Sequence, residues 1–118
     1  MFYRPKLNPD GTWAVNPAYK EIHKLREMLV SAGIPHEVKR NADGWHIGYP
    51  TLDLNGDRVC SIVENMISYG HENDLLEIMG LLTPEEEEED AVMGWLTAED
   101  VFGRIKAHWG AQNDAGTE

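Results

Sequence analysis

Between residues 32 and 45 the hydrophobic period of this chain changes from helical to extended, which points to a mixed α+β fold. Ala18, Ile22, Leu25, Leu29 and Ala32 recur at spacings of three and four, with Met28 beside them. Lys20, Lys24 and Glu27 fall on the other side. Asn16 suits an N-cap and Pro17 the first helical position, Gly33 suits the residue past the end, and Pro35 blocks continuation. These signals predict a helix over 17–32. Farther on, Trp45, Ile47 and Tyr49 alternate with His46 and Gly48, the two-residue period of a half-buried strand.

Three strands are expected in all. His36–Arg40 is extended and leads into the turn residues Asn41-Ala42-Asp43-Gly44, and Pro50 ends the second strand. Asn55-Gly56 signals a type I′ hairpin, and Arg58–Met66, rich in β-branched and apolar residues, reads as the third strand. After a break at Ser68-Tyr69-Gly70, Leu75, Leu76, Ile78, Met79 and Leu82 give Glu72–Leu82 a short helical pattern. Thr83-Pro84 followed by acids starts another helix. Ala91–Leu96 is apolar and admits either period. Thr97-Ala98-Glu99-Asp100 resembles a capping box with Asp in place of Glu, and Val101, Phe102, Ile105, His108 and Trp109 share one face of a last helix ending at Gly110. The expected fold is therefore α+β: an N-terminal helix, a three-stranded antiparallel sheet, then two or three C-terminal helices. With 118 residues the chain is expected to hold one domain over 17–110, an irregular arm over 1–16 and a flexible tail over 111–118.

Charge is distributed unevenly. Residues 1–71 hold eight acidic and eight basic side chains, whereas residues 72–118 hold thirteen acidic and two basic ones, so the second segment carries the whole net charge of −11. Its centre is Glu85, Glu86, Glu87, Glu88, Glu89 and Asp90 in succession. Such a run repels nucleic-acid phosphate and attracts basic surfaces. It lacks the oxygen spacing and turn glycine of an EF-hand loop, and its plainer reading is a solvated helix start or loop. The single Cys60 excludes an internal disulfide and a zinc site of several cysteines. No apolar segment has the length of a membrane span and no signal-peptide core is visible, so a cytoplasmic location without membrane contact is expected.

The chain contains no HExxH, GxSxG, P-loop or dinucleotide fingerprint, and no catalytic residue, metal or cofactor is expected. One segment invites a ligand. Ser68, Tyr69, His71 and Glu72 join a strand end to a helix start, where amides and polar side chains are exposed together, and Trp45 and Tyr49 are expected nearby. The plainer reading is that His71 caps or packs and Tyr69 covers the core edge. The order α-β-β-β-α matches double-stranded-RNA-binding domains, but Gly70–Leu82 carries three acids and no lysine or arginine to meet phosphate.

The stretches Ser68–Leu82, SYGHENDLLEIMGLL, and Leu96–Lys106, LTAEDVFGRIK, resemble small proteins encoded in phages and prophages of Gram-positive gut bacteria. The resemblance covers roughly the last half of the chain. It implies an accessory role in a mobile element and carries over no activity and no functional residue. The function expected is a non-enzymatic acidic interaction module for a basic protein surface, with Trp95 and Trp109 as exposed aromatic positions and no affinity for nucleic acid. The alternative is a small-molecule- or metal-binding or hydrolytic domain centred on His71 and Glu72.

Overall fold

A computed structural model describes residues 4–116, with side chains to residue 112. The parts of the expected arm and tail at 1–3 and 117–118 lie outside the described residues. The fold is α+β. Its elements in chain order are α1 (Glu21–Ser31), β1 (Glu37–Asn41), β2 (Gly44–Tyr49), β3 (Cys60–Glu64), a 3-10 turn (His71–Asn73), β4 (Leu76–Met79), α2 (Pro84–Glu89), β5 (Val92–Leu96) and α3 (Ala98–Gly116). The strands form one antiparallel sheet in the order β1-β2-β3-β4-β5. The sheet has five strands, which corrects the three expected from sequence.

The two added strands are β4, expected to be helical, and β5, whose residues admitted either period. In β4 the alternation is real: Leu76 and Ile78 are fully buried while Glu77 and Met79 point the other way. Gly70 and Gly80 bound this segment in left-handed backbone, with φ of +95° and +94°, and close it off at both ends. The Asn55-Gly56 signal does not make a tight hairpin either. Residues 50–59 form a longer loop, in which Asp53 accepts hydrogen bonds from the amides of Asn55 and Gly56.

Helix α1 begins later than its local signals suggest. Asn16 makes a turn of its own, accepting from the Ala18 amide, and Asp74 accepts from the amides of Lys20 and Glu21 at 2.8 and 3.0 Å. The helix start is thus held by a carboxylate more than fifty residues away in sequence. Glu21 in turn accepts from the Ala98 amide at the start of α3, and the Thr97–Asp100 capping box forms as expected.

Both long helices pack on one face of the sheet. Ile22, Leu25 and Leu29 of α1 and Val101 and Ile105 of α3 meet Ile47, Tyr49, Cys60, Ile62, Leu76 and Ile78 in a single core. The opposite sheet face carries no helix. Register places Lys39, His46, Val63 and Glu77 in one row across it, and Ser61, Met79 and Val92 in the next.

Candidate functional site

The expected Ser68–Glu72 site is divided by the fold. His71 Nε2 lies 2.8 Å from Glu72 Oε1, and its ring meets Tyr19 edge-on. No group of three or more potential metal ligands occurs among the described residues. Ser68 is buried and closes a local turn with Asn65. Tyr49 is buried in the core and its hydroxyl lies 2.7 Å from His108 Nδ1. Trp45 packs against His23 and beneath the Arg40 guanidinium. Trp45 and Tyr49 therefore have neighbours other than His71 and Glu72. The sheet alternation that makes them good strand residues also turns them toward the helices.

Tyr69 has a different partner, one that sequence reasoning missed. Its ring stacks on Trp95 at 5.7 Å between centroids and 10° between planes. Trp95 has φ +56°, rare and costly for a bulky residue, and its amide donates to the Tyr69 carbonyl at 3.3 Å. Gly94 permits the contact: a Cβ there would lie 2.3 Å from Tyr69 Cβ. Trp95 is 58% and Tyr69 48% exposed, so this stacked pair presents its surface to solvent. Trp109, expected to be exposed, packs partly buried against the core instead.

The acidic run lies beside this pair. Thr83 and Glu86 form a full capping box at the start of α2, and Glu86 also binds the Arg104 guanidinium through both carboxylate oxygens at 2.7 and 2.8 Å. Arg104 first, then the Thr83 amide, holds the Glu86 carboxyl down at about 2. One of the six acids is therefore structural, which corrects the expectation that the whole run is solvated. It fastens α2 to α3, and Glu85, Glu87, Glu88, Glu89 and Asp90 stand exposed on a fixed support. Glu89, Asp90, Val92, Tyr69 and Trp95 line a cavity of about 380 Å³.

A second cavity, of about 280 Å³, opens on the helix-free face over β3. Val63, Ile67 and Met79 give it apolar walls, and His46, Ser61 and Glu77 add polar groups. Burial first, then Lys39 and Arg58, holds the His46 ring below its usual range. Of the eight exposed large apolar side chains among the described residues, four (Ile67, Tyr69, Met79 and Trp95) line these two cavities. Half of the exposed large apolar side chains among the described residues are thus gathered around these two cavities.

No helix among the described residues is long and apolar enough to cross a membrane. Comparisons with protein-family models, with curated proteins and with solved structures find no match to this chain.

Proposed function

We propose that this chain is a non-enzymatic interaction module whose helix-free sheet face and α2 acids engage a basic protein surface. The observation that carries the reading is the pairing of two features at one corner: five exposed carboxylates, four on a fastened helix and Asp90 at its end, and an exposed Tyr69–Trp95 stack. Carboxylates draw a basic partner in from a distance, and exposed aromatic faces hold cationic side chains once they arrive. The same charge repels nucleic-acid phosphate, so DNA and RNA are not the partners proposed. An accessory role in a mobile element, as the resemblance to phage proteins implies, belongs to this proposal.

The test uses a peptide with six arginines and a control in which neutral citrulline replaces them. Association rates are followed across a salt series for the native chain and for the triple variant Glu85→Gln, Glu87→Gln, Glu88→Gln. These three side chains are exposed and the Glu86–Arg104 pair is left intact, so the fold is retained. We expect the variant to associate severalfold more slowly, with a flatter salt dependence. An unchanged association rate would mean that the run serves solubility alone.

A further inference from the structure

The cavity beside the Tyr69–Trp95 stack has no lysine, arginine or histidine in its lining. Of its three carboxylates, Glu86 is taken up by Arg104, and Glu89 and Asp90 remain as uncompensated charge. Arg104 approaches from the Met93 side, 3.5 Å from the sulfur, but its own charge is matched by Glu86. The Glu89 carboxylate has no hydrogen-bond or ion-pair partner among the described residues. Asp90 accepts from the Ala91 amide through one oxygen at 2.7 Å, and its second oxygen stays available. Val92 and Met93 add an apolar wall. Stacking covers one face of each ring, and both rings stay about half exposed, so an aromatic face is left open beside the two acids.

These features fit a cationic side chain, and they separate its two kinds. A guanidinium is planar and weakly hydrated. It lies flat on an aromatic face and keeps its N–H groups in the parallel plane, where they reach carboxylates at the rim. An ammonium is a compact, strongly hydrated charge, and in a cavity open to solvent it keeps its water and gains little from the rings. The chain already holds guanidinium groups by each half of this arrangement. Arg40 lies over the Trp45 ring at 5.4 Å from its centroid, and Arg104 is gripped by both oxygens of Glu86. At this cavity the aromatic face and the carboxylates occur together, and no arginine of the chain lines it.

We infer that this cavity is a pocket for one arginine side chain of the partner protein, its guanidinium flat on the open aromatic face and its N–H groups donating to Glu89 and Asp90. This rests on the interaction reading above and adds to it the residue that the partner must present. The test compares a six-arginine with a six-lysine peptide, equal in charge, by association and dissociation rates at about 0.15 M salt. Long-range attraction depends on charge and sets the association rate, whereas a pocket holds what has arrived and sets the dissociation rate. The two peptides should associate at similar rates, and the arginine peptide should leave about fivefold more slowly. Trp95→Leu, at an exposed position, should bring the two dissociation rates together. Glu89→Gln with Asp90→Asn, which keeps an acceptor for the Ala91 amide, should also reduce the preference. Equal dissociation rates from the native chain, or a preference for arginine that survives in Trp95→Leu, would overturn the pocket and leave long-range attraction to a basic partner standing. Failure of both peptides to bind better than the citrulline control would overturn both readings.

Discussion

At the scale of single residues the most unusual group is Glu64. It is fully buried at the end of β3, with one carboxyl oxygen accepting from the Ile22 amide at 3.1 Å and the Asp74 carboxyl close by. Burial, then the nearby Asp74 carboxylate, pushes its carboxyl up to about 10. The folded chain therefore keeps this proton where the unfolded chain, with an ordinary carboxylate, releases it. Since the folded state binds more protons above pH 4.5, Glu64 lowers stability progressively from about pH 4.5 toward pH 10. Glu64→Gln keeps the acceptor and removes the titration. We predict that it leaves stability near pH 4 almost unchanged and raises it by about 1–3 kcal/mol at pH 8, since each tenfold difference in proton affinity between the folded and unfolded chain is worth about 1.4 kcal/mol. Denaturant unfolding at the two pH values measures this, and equal effects at both would contradict a protonated Glu64. A strand pattern rich in β-branched residues gives no hint that the glutamate at its end is buried. Its position follows from alternation with Cys60 and Ile62.

At the scale of elements, the acidic helix α2 depends on its cap and on one ion pair. A six-residue helix with five consecutive glutamates is marginal by itself, because like charges crowd one another and too few turns are made. The Thr83 capping box and the Arg104 fork hold it. We predict that Arg104→Gln speeds amide exchange at Glu87 and Asp90, whose amides donate to Thr83 and Glu86, and lowers overall stability by about 1–2 kcal/mol. Exchange that stays unchanged at those amides would show that α2 stands without the ion pair. Elements also show what was legible in the sequence. The body of the first helix, the turn at 41–44, the strand at 45–49, the Thr83 start and the Thr97 start of the last helix were readable because local chemistry specifies each of them, whereas the end expected at Gly110 was not, since α3 runs on to Gly116 through part of the expected tail. Strand β4 was not, because apolar Leu75 and Met79 flank the buried Leu76 and Ile78 and give a helical spacing to a four-residue strand. Its bounding glycines, Gly70 and Gly80, were the available signal. The true start of α1 could not be read locally, since its cap is Asp74. Of the candidate site, the acidic run was legible by composition. The Tyr69–Trp95 stack was not, because it depends on β5 lying beside β4 and on the absent side chain of Gly94.

At the scale of the whole molecule, the fold turns a charge asymmetry along the chain into an asymmetry in space. The balanced segment builds α1 and β1–β3, and the acidic segment builds β4, α2, β5 and α3. One face of the sheet is sealed by α1 and α3, while the other joins exposed apolar side chains to the acidic corner. If a basic partner docks on this second face, a titration of isotope-labelled protein with the six-arginine peptide will locate it, with backbone amides and the tryptophan indoles followed by NMR. Shifts are expected to concentrate at Val63, Tyr69, Glu77, Met79, Val92 and Trp95, with little change at Arg26 and Val30 on the outer side of α1. Shifts centred on α1, or spread evenly over the acidic surface with no focus at Trp95, would contradict docking on the helix-free face.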